Sequence, residues 1–469
     1  MTAEQCQRCN KNAVEVISRK ELFCAECFRV FVMQKQRKQM MSDDYYRDIF
    51  KVMYKDKIRS AEEAEQQNKN STILIPLSFG SSSLMMLDIV HLTLLEQKMQ
   101  HQKTGFNVDV LICYRESNDE LLTNIQSNIR ELSTVRYSEN KDNIRFHTLC
   151  LDSMFEIDKE LIDQVVLHNV EFTGRQVSIN ESEHANLSLK TVLTSCPNRS
   201  TKEDIIDFVT KHLVKKYAYQ NGQKAILWGH SMTRLADEII SCVVKGRGAQ
   251  ISSKLNTTNL DVNYGSRFKN LYPLKDILLT EVDAYCALFD LSKYLIKYEL
   301  QDSLLVNKLK KEKHIGNQRL AKNMTINELA RKYFNDIEGE YSNVIATVLR
   351  TGDKLDEPLA TLGEKHCRIC KSTVHDDVSK WLRDITVNVG QPLESQLERD
   401  LHEKWATSHI GLETTAYYQL RDRVWEHGDD VDLCYGCIVT MQGVKNLNVP
   451  WPKNNEQELN EVLAEYSLE

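Results

Sequence analysis

Eight of the thirteen cysteines fall into four Cys-x-x-Cys pairs: Cys6 and Cys9 in CQRC, Cys24 and Cys27 in CAEC, Cys367 and Cys370 in CRIC, and Cys434 and Cys437 in CYGC. Two intervening residues let both thiolates of a tight turn face one point, and two such turns supply the four soft ligands that tetrahedral zinc prefers. The first two pairs are close enough in the chain to make one site. The last two are separated by a long insert rich in helix formers, as in ESQLERDLHEKW, which is tolerated because loop length adds little closure entropy. A lone pair reads equally well as a redox dithiol or as buried thiols; four pairs in one chain favour two zinc sites. His366 and His375 lie close enough to the third pair to substitute as ligands.

A second stretch with chemical potential is SFGSSS, Ser78 to Ser83, set between the apolar run TILIPL and an apolar helical segment. Successive backbone N–H groups at a strand-to-helix turn form an anion nest, aided by the positive end of the following helix. Gly80 permits close approach, and Ser78, Ser81, Ser82 and Ser83 offer hydroxyls. The alternative is a serine-rich turn that caps a helix. The stretch lacks the Gly-Lys-Ser/Thr ending of a Walker loop.

These residues need elements to position them. From 70 to 290, short apolar strands at 72–77, 108–114, 144–151 and 224–229 alternate with longer helical segments, which predicts a parallel sheet covered by helices on both faces. The segment KEDIIDFVTKHLVKKYAY places Ile205, Val209 and Leu213 on one stripe with Ile206 alongside, and should pack on that sheet. Pro76 cannot donate a ladder hydrogen bond, so the first strand should be short, bulged or frayed at its end. The polar run 173–190 and the region 246–266 read as mobile loops. Residues 287–350 read as mainly helical, with TINE at Thr325 to Glu328 in the form of a capping box. Ligands of such sheets bind beyond the carboxyl ends of the strands, where SFGSSS and GHSMTR, with Gly229 and His230, both emerge.

Composition sets limits. The 469 residues suffice for several domains; the expected divisions are an N-terminal zinc module (1–40), an α/β domain (41–290), a helical extension (291–360) and a C-terminal zinc module with its insert (361–469). No run approaches a membrane span, and the polar start MTAEQCQRCNKN has no signal-peptide core, so the chain reads as soluble and intracellular. A net charge of -7 argues against coating nucleic acid through the overall field. The basic runs at Lys35–Lys38, Lys245–Gly248, Arg267–Lys269 and Lys308–Lys313 read first as solvated faces.

SFGSSS resembles a worn form of the Ser-Gly-Gly-x-Asp-Ser loop of the ATP pyrophosphatases, the PP-loop adenylating domains of HUP type that include tRNA thiolases. GHSMTRLADEIISCVVKGRG (229–248) and YPLKDILLTEVDAYC (272–286) resemble that family's next two motifs, in the same order. With the cysteine pairs added, the chain is most similar to the cytoplasmic tRNA 2-thiolation protein 2 family, over nearly its whole length apart from the polar loops and the 371–433 insert.

The resemblance implies a fold and a partnership. In active relatives ATP adenylates the 2-oxygen of the wobble uridine, and sulfur from a thiocarboxylated ubiquitin-like carrier displaces AMP. Here Phe79 takes the place of a loop glycine and Ser82 that of the aspartate, removing a carboxylate that would coordinate magnesium. Ser231 replaces asparagine, and Thr233 and Arg234 stand where acids would be expected. Active members carry a Cys-x-x-Cys before the second motif; VLTSCPNRS keeps only Cys196, a weak candidate for reactivity. Cys242 and Cys286 read as core residues.

The resemblance therefore points to the non-catalytic half of a heterodimer, with a catalytic thiolase subunit, tRNA and the carrier as partners, zinc as cofactor and no membrane contact. A nucleotide pocket built from Ser78, Gly80, Ser81, Ser82, Ser83, Gly229 and His230 would be degenerate, and its use of ATP and magnesium is left open, as is the family's link to conjugation of the carrier onto proteins. The alternatives are a competent ATP-dependent tRNA sulfurtransferase and a zinc-ribbon RNA-binding scaffold.

Overall fold

A computed structural model describes residues 5–55, 60–115, 119–156, 162–170, 174–181, 188–196, 198–296, 324–355, 365–367, 369–374, 393–426, 433–442 and 448–452. Contacts divide the chain into two compact units, one of residues 1–154, 202–358 and 455–469, the other of 155–201 and 359–454.

The first unit is built on five parallel strands: β1 (Thr72–Pro76), β2 (Asn107–Tyr114), β3 (Ile144–Cys150), β4 (Ala225–Leu227) and β5 (Lys269–Leu271). Their order across the sheet is β3-β2-β1-β4-β5. Strand alternation sorts the apolar residues onto two faces. Ile73, Ile75, Val108, Val110, Ala225 and Leu227 face a core shared with Leu84, Leu87 and Val90 of the helix Ser81–His101. Leu74, Leu111 and Ile226 face the other way, onto Val214 and Ala218 of the helix Arg199–Gln220. On that helix Ile205, Val209 and Leu213 are buried as expected, but the residues in the sheet-facing cluster lie one turn further on.

Pro76 is the last residue of β1, and the next amide, Leu77, donates to the Leu111 carbonyl. The strand thus ends where the chain loses a donor. β5 was not anticipated; three residues offer too little pattern to read. The region 246–266 is not a plain loop. It holds short helical turns at Gly248–Gln250, Ile251–Leu255 and Val262–Tyr264, and Ile251 joins a buried cluster with Leu235, Ile239, Phe334 and Ile345. Two further helices follow, Ile326–Ile337 and Ser342–Gly352, the first opened by the Thr325/Glu328 capping box. The sequence between them and β5 includes 297–323, which with the Lys308–Lys313 run lies outside the described residues.

The N-terminal module belongs to this unit. A hairpin, Val16–Ser18 with Glu21–Phe23, leads into the helix Ala25–Met40. Ser18 donates to Glu281 at 2.6 Å, and Arg19 pairs with the same carboxylate at 2.9 Å.

The second unit contains a three-stranded antiparallel sheet, Asn448–Pro452 with Ile162–Val170 and Gly174–Glu181. The last of these overturns the reading of 173–190 as a loop: eight residues pair in register with the preceding strand, because a hairpin satisfies backbone groups even where the side chains are polar. Helices Gln396–Ala406, His409–Glu426 and Tyr435–Gln442 also lie in this unit. Among the described residues no helix is long and apolar enough to cross a membrane.

Candidate functional site

The eight paired cysteines converge in two groups. Cys6, Cys9, Cys24 and Cys27 form one and Cys367, Cys370, Cys434 and Cys437 the other, with the sulfur atoms of each group within 4.8 Å of one another. Tetrahedral zinc with bonds of about 2.3 Å requires sulfurs about 3.8 Å apart; Cys9 and Cys24 are at 3.8 Å and Cys370 and Cys434 at 3.5 Å. The donor sets therefore fit a four-thiolate metal. At Cys6, burial opposes ionisation, but the amides of Cys24, Cys9 and Arg8 outweigh it and hold the thiol down at about 6. Burial and the neighbouring thiols push Cys27 up to about 12. His366 is not among either group, and His375 lies outside the described residues.

The serine loop leaves β1 and enters the helix Ser81–His101 through Gly80 at its N-cap. Phe79 takes a left-handed backbone, φ +55°, and its ring is wholly buried. The loop hydroxyls are largely turned to the protein: Ser81 donates to Asp283 at 2.9 Å and Ser83 to the Gly80 carbonyl at 3.0 Å, with Ser78 Oγ 3.3 Å from Ser83 Oγ. What the loop offers a ligand is its first-turn amides, which have no intrahelical acceptor.

Beside it, β4 leads through Gly229 and His230 to the helix Met232–Val244, capped by Ser231, whose side chain accepts from the Arg234 amide. Both loops line one cavity of about 860 Å³, together with Arg115 and Lys293. It lies at the carboxyl ends of adjacent strands β1 and β4, from which the order runs outward in opposite directions.

The helix Met232–Val244 turns acids into this cavity after all, one turn beyond Thr233 and Arg234. Asp237 and Glu238 of this helix, and Asp204 of the helix Arg199–Gln220, each have a basic partner. Asp237 accepts from Arg234 at 3.0 Å; Glu238 meets Lys211 at 2.8 Å and Lys254 at 3.4 Å; Asp204 meets Lys245 at 2.5 Å. Burial opposes ionisation of Glu238, but Lys211, Lys254 and His230 outweigh it and hold the carboxyl well below its usual range. Burial wins at Asp237 and raises it despite Arg234 and Arg331. Burial also lowers His230, against the pull of Glu238, and Thr233 faces away, donating to Glu338.

Two basic residues of the Lys245–Gly248 run are buried at this cavity rather than forming a solvated face: Lys245 and Arg247 are 9% and 3% exposed. Lys211, Lys254 and Arg331 were not singled out in the sequence. Only the Asp207–Lys211 spacing of four along a helix carried a local signal; the rest are brought in by the fold. Cys242 is buried on the cavity wall, its sulfur 3.3 Å from Lys254 Nζ. Cys286 is a core residue donating to the Ser81 carbonyl, and burial pushes its thiol well up. Cys196, in the second unit, is buried with its sulfur on the Val192 carbonyl and does not line the cavity.

Residues 325–439 match the family model described as Cytoplasmic tRNA 2-thiolation protein 2. The chain is 99% identical, over 100% of both chains, to the protein of that name from Candida glabrata. It is 50% identical to the one from Vanderwaltozyma polyspora (99% of this chain, 96% of the relative) and 39% identical to one from Saccharomyces cerevisiae (99% of each). Among solved structures it is similar to the U34-tRNA thiolase NcsA from Methanococcus maripaludis with its 4Fe-4S cluster, at TM-score 0.47 and 12% identity, over 84% of this chain and 100% of that one. At this identity across their full lengths, the chain belongs to the cytoplasmic tRNA 2-thiolation protein 2 family.

Proposed function

We propose that the chain is the non-catalytic half of a cytoplasmic heterodimer that 2-thiolates the wobble uridine of tRNA. The catalytic thiolase subunit adenylates the uridine, and a thiocarboxylated ubiquitin-like carrier supplies the sulfur; this chain helps hold the tRNA or the carrier. Family membership supports the process. The observation that carries the non-catalytic role is the state of three carboxylates of the cavity. Asp204, Asp237 and Glu238 are each engaged by lysine or arginine, and the loop position that would bear an aspartate is Ser82. A magnesium ion needs carboxylates not already neutralised. What remains is a cradle of amides beside cations, suited to receiving an anion without activating it.

The two cysteine groups would hold zinc, whose chemistry here is structural: four thiolates leave no open position for a substrate.

The test is co-purification with the candidate catalytic subunit, followed by a thiolation assay with Ser82→Ala in this chain and with the matching aspartate removed from the partner. Loss of turnover only with the partner's change supports the reading. Abolished turnover with Ser82→Ala in an intact complex, or magnesium-dependent pyrophosphate release by this chain alone, would make it an enzyme.

A further inference from the structure

One wall of the cavity carries cations that its acids do not fully engage. Arg331, on the helix Ile326–Ile337, is 12% exposed, and carboxylates approach it only at 3.7 Å (Glu203) and 3.9 Å (Asp237). Both distances exceed hydrogen-bond length, and its Nε and Nη1 atoms are buried with no acceptor among the described residues. Ser241, 3% exposed, lines the same cavity from the helix Met232–Val244 with its hydroxyl also unpartnered.

The surrounding charges do not cancel. Asp237 is held by Arg234, and Asp204 is shared by Lys245 and Arg247. With Asp207 and Glu238 and their partners Lys211 and Lys254 included, six cations meet five carboxylates. Burial tips the balance further, since it raises both Glu203 and Asp237 in spite of the arginines beside them. A buried guanidinium whose N–H groups find no acceptor is unfavourable, and an oxyanion with several lone pairs relieves it.

We propose that this wall is a binding subsite for a phosphate group, with Arg331 and Ser241 as its donors and Lys245 and Arg247 supplying the field. A tetrahedral group suits donors arriving from two different helices, and the guanidinium fork can take two of its oxygens. The subsite is separate from the GHSMTR loop: Ser241 lies ten residues beyond Ser231, the N-cap of the helix Met232–Val244, about 15 Å at the helical rise. It goes beyond the function proposed above and stands whether or not the loop holds a nucleotide.

The full chain, in phosphate-free buffer, is titrated with inorganic phosphate by calorimetry and phosphorus NMR. Saturable binding is expected in the wild type, weakened about tenfold by Arg331→Gln and about threefold by Ser241→Ala, with Lys141→Gln, an exposed cation elsewhere, as the reference for non-specific charge. Ser241→Ala removes one hydroxyl and keeps the test valid should Arg331→Gln fail to fold, which circular dichroism reads. Competition by the dinucleotide UpU identifies a polynucleotide backbone as the source, and competition by uridine monophosphate alone a free phosphomonoester; either supports the subsite. Absence of saturable binding, equal affinity in wild type and both variants, or displacement of phosphate by a lower concentration of a dipeptide carboxylate overturns it.

Discussion

Gly229 lies so close to the serine loop that a β-carbon there would sit 2.9 Å from Ser83 Cα and 3.2 Å from its amide nitrogen. Those atoms are backbone at the start of a buried helix, so they cannot swing aside as a side-chain tip would. The contact locks the two cavity loops together. Gly229→Ala is expected to cost about 1–3 kcal/mol through overpacking, read as a lower urea midpoint with an unchanged slope. An unaltered midpoint would mean that the loops move freely past each other.

Phe79 combines a left-handed backbone with a fully buried ring. Removing the ring should cost about 3–5 kcal/mol. Glycine, however, is relieved of the strain that any β-carbon meets at φ +55°, about 1–2 kcal/mol. The expected order of stability is wild type, then Phe79→Gly, then Phe79→Ala, the reverse of the usual ranking of alanine over glycine. Thermal melts of the three proteins decide it; alanine above glycine would show that packing alone governs the position.

The strands and the two cysteine groups were legible because their signals are local: short continuous apolar runs such as Ile73, Leu74 and Ile75, and thiols with two residues between them. The cavity was only partly so. SFGSSS and GHSMTR announced themselves, and Asp237 has its partner Arg234 only three residues before it, but the partners of Glu238 are Lys211 and Lys254, more than fifteen residues away in each case, and no spacing rule joins them. The strand Gly174–Glu181 was missed for a related reason: its pairing is satisfied by backbone, whereas its composition is that of a turn.

Metal content should follow the two cysteine groups independently. Elemental analysis of the purified chain is expected to give two zinc ions, and Cys24→Ser or Cys434→Ser one each. Because a structural zinc contributes on the order of 10 kcal/mol of folding free energy, chelation should loosen the hairpin at Val16–Phe23 and the helix Tyr435–Gln442, seen as faster amide exchange there. A visible thiolate-to-iron absorption band in the anaerobically purified chain would assign an iron-sulfur cluster to at least one group instead.

Glu238 gives the cavity a pH signature. Its side chain is 24% exposed and bonded to Lys211, and Lys211 and Lys254, with His230, hold its carboxyl well below the unfolded value of about 4.3 despite burial. A depressed folded value means that its contribution is fully present above the unfolded value and is lost as pH falls through the folded one. Burial opposes the charge of Lys211 and Lys254 as well, but Asp207 and Glu238 raise the first, and Cys242, Glu238 and Asp207 the second, so their contribution is lost only on the far alkaline side. Glu238→Gln should therefore lower stability at neutral pH by about 3 kcal/mol, the cost of leaving buried cations short of a partner. The gap to wild type should stay constant from pH 8 to about 5 and close progressively below about 4. Urea titrations at several pH values measure it; a gap that persists undiminished in acid would show that glutamine is disfavoured there for its shape and not for its missing charge.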